Sequence, residues 1–326
     1  MGGITALETA MQLIGIHHLT AISADAPVNK KFYTEVLGLR LVKKTVNQDE
    51  VSAYHLFYAD GVGSPGSDIT FFDFKAPREE RGNNSVSVVS FRVSAGQNNL
   101  LWWQNRLTDV GIKTSHVSER DRRLTLDFTD PEGLRLALVD DGGKGEAHPW
   151  DRSPVRADRQ IRGLGPIVIT VPEFQTTHTV LTKVMEMSRV RDYPYPGSGR
   201  DRINVYQMGE GGPGAELHVA VRPDLPKAKQ GFGGVHHVAF RTPDANYDAW
   251  ADRLNEMKVP NSGKIDRHWF KSLYFREPNG ILFEIATDGP GFAVDEPIDQ
   301  LGNKLVLPPF LEGRRTEIEA GLKPLG

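Results

Sequence analysis

The chain has 326 residues, of which 39% are hydrophobic and 25% charged, and its formal net charge is -3. These values are typical of a soluble globular protein, and the small negative charge gives no reason to expect nucleic acid or an anionic membrane as a partner. There are no cysteines, which excludes disulfides, thiolate metal ligands and cysteine nucleophiles.

The chain begins with residues 1–13, which we expect to be a loosely attached leader. They lack the basic segment and long apolar run of a secretory signal, and no stretch reaches the roughly 18 apolar residues of a membrane span. We therefore expect a cytoplasmic protein.

The next residues predict one strand, one helix and three strands. The elements of this first module are a strand over 15–23, a helix over 27–37, and strands over 40–46, 54–58 and 68–74. The second module has strands over 85–93, 113–117, 124–128 and 134–139, with a helix over 98–110. The third begins at Gly163 and has a helix over 177–187 and a last strand over 215–221, and the fourth begins at Gly233 and has a helix over 245–257 and a last strand over 281–286. Four copies at intervals of about 70 residues predict an α+β chain of four tandem βαβββ modules.

The segment between the second and third modules, about 140–160, is rich in Gly, Asp, Pro and Arg and is typical of a linker. We therefore predict an N-terminal domain over 1–145 and a C-terminal domain over 160–287, each with two modules. A tail over 288–326 contains enough Leu, Val and Phe to pack on the body of the protein.

Candidate metal ligands lie at equivalent points of the first and fourth modules. They are the pairs His17-His18 and His236-His237, together with Glu284 inside the last apolar strand. Neighbouring strand residues face opposite ways, so each pair is expected to offer one ligand, although alternation does not say which. The simplest interpretation of a single histidine pair is a polar strand end, and the simplest interpretation of a lone glutamate is a partner in a salt bridge. Two pairs and a carboxylate together favour the 2-His-1-carboxylate arrangement of non-haem Fe(II) sites.

Comparison of the modules indicates that these ligands are not needed for folding. The second module has Ser87, Val88 and Ala137 where the fourth has its histidine pair and glutamate, and the third has Gly165-Pro166 in place of a pair. His218 stands at the third module's equivalent of Glu284 without a histidine pair in its own copy, so we interpret it as structural.

Other polar residues occur close to the ligand strands. Arg267 and Tyr274 could orient an anionic aromatic oxygen, whereas Lys271 and Arg276 are better interpreted as surface residues of a hairpin. His55 lies in an aromatic strand and is interpreted as a core or cavity-lining residue rather than a ligand.

These motifs resemble the vicinal oxygen chelate superfamily of glyoxalases, extradiol dioxygenases and bleomycin-resistance proteins. More narrowly, the chain is similar to the hydroquinone ring-cleaving dioxygenases. The resemblance covers nearly the whole chain, and its motifs are Gly-Ile-His-His-Leu-Thr at 15–20, Tyr-His-Leu-Phe-Tyr-Ala-Asp at 54–60, Gly-Val-His-His-Val-Ala-Phe at 234–240, Leu-Phe-Glu at 282–284 and Leu-Gly at 301–302.

The resemblance implies two glyoxalase-like half-barrels of mixed sheet, with modules one and four forming the metal-bearing one. It implies that His18, His237 and Glu284 bind iron. It places His17 and His236 close to the substrate, as candidates to accept the phenol proton. It also implies that Thr20, Arg267 and Tyr274 contact the substrate, Arg267 and Tyr274 being counted among the catalytic residues. The loop before Arg267 is shorter than the family pattern, and the neighbouring His268-Trp269 differs from it.

The sequence thus predicts an Fe(II)-dependent dioxygenase that cleaves hydroquinone-type or catechol-type rings with O₂, with Mn(II) as the other candidate metal. One alternative is a glyoxalase-type lyase or isomerase using Zn or Ni, but such sites usually have a further carboxylate ligand, and only one carboxylate lies in the ligand strands near the histidine pairs. Another is a protein that binds an aromatic compound without turnover. A homodimer is expected on base rates.

Overall fold

The computed structural model describes residues 11–94, 96–198 and 200–325. Residues 1–10 of the predicted leader lie outside the described residues. The first module comprises β1 (Gly15–Ser23), α1 (Ala26–Lys31), β2 (Arg40–Val46), β3 (Tyr54–Ala59) and β4 (Asp68–Asp73). The second comprises β5 (Ser85–Val93), α2 (Gln97–Asp109), β6 (Ser118–Arg120), β7 (Arg123–Thr129) and β8 (Arg135–Asp140). The third comprises β9 (Leu164–Val171), α3 (Phe174–Thr179), β10 (Ser188–Pro194), β11 (Arg202–Gln207) and β12 (Glu216–Val221). The fourth comprises β13 (Val235–Thr242), α4 (Tyr247–Glu256), β14 (Ile265–Asp266), β15 (Lys271–Arg276) and β16 (Leu282–Thr287), and the tail contains α5 (Arg315–Gly321).

The strands form two eight-stranded mixed sheets. One has the order β14-β15-β16-β13-β1-β4-β3-β2 and the other β10-β11-β12-β9-β5-β8-β7-β6. The antiparallel pairs β1–β13 and β5–β9 join modules one with four and two with three. This pairing confirms the predicted combination of modules. The predicted boundary near 140–160 separates modules along the chain, whereas each sheet takes one module from each side of it.

Apolar residues on the helices and strands build the core around the two sheets. Trp103 on α2 and Trp250 on α4 are fully buried, and α4 contacts β16 directly. All nine residues of β1 are buried, the two histidines included. Burial of imidazoles in such a strand requires hydrogen-bond partners, which the site supplies. Among the described residues, no helix is both long and apolar enough to cross a bilayer.

Two element predictions need correction. The strand predicted over 113–117 is wrong, because the first strand of that hairpin is β6. Asp121 and Arg122 both have positive φ and form a tight two-residue turn. Because this turn pairs Arg120 with Arg123, the residues directly before it form the first strand of the hairpin. The helix predicted over 177–187 begins at Phe174, because the Glu173 carboxylate accepts hydrogen bonds from the backbone N–H groups of the first turn.

The tail lies against the first sheet. Leu301, Val306 and Leu311 are buried, and Leu305 forms a parallel bridge with Lys44 of β2. The tail therefore packs on β2, an edge strand of the sheet that carries the candidate site, and its residue Asp295 accepts a hydrogen bond from Trp269 beside that site.

Candidate metal centre

Three neighbouring strands bring His18, His237 and Glu284 together. His18 on β1 pairs with Ala239 on β13, and Ala239 pairs with Glu284 on β16, so the three positions form one row across the sheet. His237 lies two residues before Ala239 and shares its face. Because alanine is small, the longer side chains can meet above it. The Glu284 Oε2 atom is 3.2 Å from His18 Nε2 and 2.9 Å from His237 Nε2, and all three residues are buried.

Hydrogen bonds fix which nitrogen of His18 carries its proton. His17 Nε2 is 3.0 Å from the carbonyl oxygen of Thr287, which can only accept, so this nitrogen carries the proton. Burial lowers the pKa of His17 to about 3, so its ring is neutral and Nδ1 is an acceptor. That atom lies 2.8 Å from His18 Nδ1, which must therefore donate. The free lone pair of His18 is then on Nε2 and faces Glu284.

A lone pair facing a buried carboxylate requires a cation between them. Burial acts to lower the pKa of His18, but the Glu284 carboxylate outweighs burial and raises that pKa. Burial likewise acts to raise the pKa of Glu284, whereas His18 and His237 hold it well below its usual range. Either a proton or a metal ion satisfies this arrangement. Two imidazole nitrogens and one carboxylate oxygen, with their ligand atoms within 4.8 Å of one another, fit a first-row divalent metal.

The second histidine pair repeats the first. His236 Nδ1 is 2.8 Å from His237 Nδ1, and burial lowers the pKa of His236 to about 3. His17 and His236 thus each contact the Nδ1 atom of the next histidine in the chain, on the side of its ring away from Glu284. Neither residue lines the cavity of the site. Their predicted role as proton acceptors stays a prediction. Their hydrogen bonds support another role, which is to hold the ligand rings in position.

Glu284 and a carboxylate that sequence reasoning missed complete the charged groups of the site. Ser272 Oγ donates to Glu284 Oε1 at 2.5 Å, while Oε2 faces only the two imidazole nitrogens of His18 and His237. Asp68 on β4 pairs with His18, is 1% exposed, and neither of its carboxylate oxygens has a hydrogen-bond partner. Burial raises the pKa of Asp68 to about 7. Strand alternation could have found Asp68, because it shares a face of β4 with Thr70. The hydroxyl of Thr70 contacts Thr20 and His55, which line the cavity of the site.

The cavity beside the triad has a volume of about 40 Å³ and is bounded by Thr20, His55, Trp269, Arg267 and Tyr274 among others. This space suits a water molecule, whereas cavities that hold benzene are nearer 150 Å³. Substrate entry therefore requires side chains at the mouth to move.

The structure brings the predicted substrate-contacting residues to this cavity. Thr20 Oγ1 lies 3.1 Å from His237 Nε2, and Arg267 donates to Tyr274 Oη at 3.4 Å. At the mouth, Arg267 also forms an ion pair of 3.1 Å with Asp49. His55 lines the cavity and contacts Thr70 at 2.9 Å, in agreement with its interpretation as a cavity-lining residue.

His218 lies in the second sheet, outside this site. Its Nε2 atom is 3.1 Å from Glu216 and its Nδ1 atom 3.0 Å from Tyr193 Oη. Glu216 is also paired with Arg123 and Arg191, so its charge is already compensated. The group of Glu216, His218 and the nearby Asp121 is therefore an ion-pair network.

Comparisons with known proteins identify a family and relatives of this chain. A family model described as the Glyoxalase/Bleomycin resistance protein/Dioxygenase superfamily matches residues 15–138 and 163–285. The chain is 46% identical over 318 residues to a Bacillus subtilis protein named "Putative ring-cleaving dioxygenase MhqA", covering 97% of this chain and 100% of that protein. It is 29% identical to the chlorohydroquinone/hydroquinone 1,2-dioxygenase of Sphingobium indicum, covering 93% of this chain and 94% of that enzyme.

Solved structures show the same fold. The crystal structure of a Bacillus subtilis protein titled as a putative dioxygenase superposes with a TM-score of 0.88 at 36% identity, covering 97% of this chain and 99% of that one. Glyoxalase I from Zea mays superposes with a TM-score of 0.61 at 14% identity, covering 84% of this chain and 92% of that one, which is a likeness of fold alone.

Proposed function

The chain belongs to the glyoxalase/bleomycin resistance protein/dioxygenase superfamily, and we propose that it is an Fe(II)-dependent dioxygenase that opens hydroquinone-type aromatic rings. Both atoms of O₂ enter the ring-opened product. The observation that carries this proposal is the buried triad of His18, His237 and Glu284, in which an imidazole lone pair faces a carboxylate. Relatives that are named ring-cleaving dioxygenases over nearly their whole length support the reaction class.

A divalent iron held by the triad would supply electron exchange between the aromatic substrate and O₂, and the protein supplies position and proton control. Burial raises the pKa of Tyr274, so its phenol stays protonated and can donate a hydrogen bond to a substrate oxygen. Arg267, half-buried at the same wall, adds a fixed positive charge. Phe270 contacts the rings of His17 and His18 and keeps water from the ligands.

The donor set favours iron over the glyoxalase-type alternative. Such lyases usually use a further carboxylate ligand, and the additional carboxylate here, Asp68, groups with His17 and His18 rather than with His237 and Glu284. A binding protein without turnover has no use for a buried triad of metal ligands. Mn(II), which stands next to Fe(II) in the order of affinity for such sites, stays the second candidate metal.

The proposal is tested by oxygen uptake with 2-methylhydroquinone on protein loaded anaerobically with Fe(II). Catechol is offered in parallel, and a hemithioacetal is offered to the Zn and Ni forms. We expect uptake with the hydroquinone, its loss in His237→Ala, and its retention in His116→Ala, which replaces an exposed histidine outside the site. Turnover of the hemithioacetal without oxygen uptake would refute the dioxygenase assignment and support the lyase.

A further inference from the structure

The concave face of the second sheet contains a cavity of about 500 Å³, far larger than the one beside the triad. Val88, Val168 and Ile203 supply apolar wall, and Tyr193 and Tyr195 supply aromatic wall. Three basic side chains, Lys113, Arg120 and Arg135, border the same space, against one acidic residue, Asp127. The lining therefore carries a net charge of +2 (three positive, one negative) in a chain whose overall charge is -3.

This cavity corresponds to the metal site of the first sheet. Asp127 pairs with Ala137 across β7 and β8, as Tyr274 pairs with Glu284 across β15 and β16. Arg120 precedes Asp127 by seven residues, the spacing of Arg267 and Tyr274. The second sheet thus keeps a guanidinium at its mouth, while the positions of metal ligands are taken by Val88 and Ala137.

Arg135 is the group that distinguishes the second cavity. It occupies the position that Leu282 has in the fourth module, on the face that carries Glu284 there. Arg120 already donates hydrogen bonds to both carboxylate oxygens of Asp127. In contrast, among residues 11–94, 96–198 and 200–325 the guanidinium of Arg135 has no hydrogen bond or ion pair, although it is half-buried, and the carboxylate of Glu79 acts on its charge only from beyond ion-pair distance. Desolvating a guanidinium without an acceptor is unfavourable, and a bound carboxylate would relieve it.

We propose that this cavity binds a small organic carboxylate with a planar aromatic or unsaturated body. The carboxylate accepts paired hydrogen bonds from Arg135, the geometry that guanidinium groups favour. The planar body lies between the aliphatic wall at Val88 and Val168 and the ring of Tyr195. The apolar wall disfavours a fully hydrated inorganic anion. The site contains no member of the metal triad, so the inference does not depend on the proposed function.

Calorimetric titration of the full chain with benzoate tests this site. We expect benzoate to bind, and Arg135→Gln to weaken binding roughly 10- to 100-fold, the range for loss of hydrogen bonds to a charged group. Phenol, which has the ring without the charge, and inorganic phosphate, which has charge without the ring, should both bind at least about tenfold more weakly than benzoate. Arg106→Gln replaces a half-buried arginine on α2 outside the cavity and should leave the affinity unchanged.

A further pair of variants locates the bound benzoate. Arg267→Gln removes the guanidinium of the metal cavity and should not change benzoate affinity. Arg135→Leu introduces the residue that the fourth module carries at the equivalent position, and it serves as the second variant if the glutamine variant unfolds early. Absence of benzoate binding overturns the proposal. So does an affinity that survives both Arg135 substitutions, or one that is lost in Arg267→Gln, which would place the ligand beside the triad.

Discussion

Lys43 joins the tail to the sheet that carries the triad, and we expect its removal to destabilise the protein. Its Nζ atom is fully buried and donates to Asp295 at 2.6 Å, to Glu296 at 2.5 Å and to the Phe292 carbonyl at 3.1 Å. Lys43→Met would leave the buried Glu296 carboxylate without an ion-pair partner among the described residues, with only the more distant charges of Arg40 and Lys44 acting on it. Breaking a buried pair in this way costs about 3–5 kcal/mol, so we expect the free energy of unfolding to fall by that amount.

The same substitution should also affect the residues that border the metal cavity. Asp295 also accepts hydrogen bonds from His268 Nε2 at 3.1 Å and from Trp269 Nε1 at 2.8 Å, and Trp269 borders the cavity. Losing Lys43 removes one of the partners that hold Asp295 in place. We therefore expect lower oxygen-uptake activity together with faster proteolytic release of the tail.

Two assays test this prediction: urea unfolding measures the free energy of unfolding, and limited proteolysis of the native protein measures release of the tail. Lys44→Met is the matched control. Lys44 is the neighbouring lysine and is half-exposed, so its substitution should change stability by less than about 1 kcal/mol. Adding Glu296→Gln to Lys43→Met should recover part of the loss, because it removes the unpaired buried charge. A loss below about 1 kcal/mol for Lys43→Met alone would show that the buried cluster does not hold the tail.

Three further outcomes are expected. Asp68→Asn removes a buried carboxyl group beside His18, and at pH 8, above its pKa of about 7, the change should weaken divalent-metal binding about tenfold in a competition titration with a chelator; unchanged affinity would show that Asp68 does not act on the site. Ser272→Ala removes the hydrogen bond that orients Glu284 and should weaken metal binding by about 10- to 100-fold, and an increase would contradict this reasoning. Burial raises the pKa of Asp130 to about 6 from an ordinary value of 3.8. Between these two pH values the folded state binds more protons than the unfolded state, so the contribution of Asp130 to stability falls as the pH rises through that window. Denaturant unfolding at pH 4 and 7 should show that Asp130→Asn reduces this fall, by up to about 3 kcal/mol.

Periodicity and module comparison predicted most strands and the order of elements, because each strand follows a local alternation of apolar residues. They could not predict β6, whose position depends on a turn at Asp121 and Arg122 that carries no glycine. The histidine pairs were visible because they recur at equivalent points of two modules.

The side-chain contacts of the site depend on long-range pairing and were not predictable in the same way. Thr287 is 270 residues from His17, yet its carbonyl sets the protonated nitrogen of that ring. Lys43 lies in the first module and Asp295 in the tail, and nothing local marks them as partners. Asp68 resembles an ordinary strand-end aspartate until β4 is placed beside β1.

The most direct test of the proposed reaction is mass spectrometry of the product formed from 2-methylhydroquinone under ¹⁸O₂ by the Fe(II)-loaded protein. A dioxygenase that opens the ring places both labelled atoms in one ring-opened product. Recovery of a quinone without a ring-opened product, or of a ring-opened product that carries no label from O₂, would contradict the proposal that the triad of His18, His237 and Glu284 supports dioxygenation of the ring.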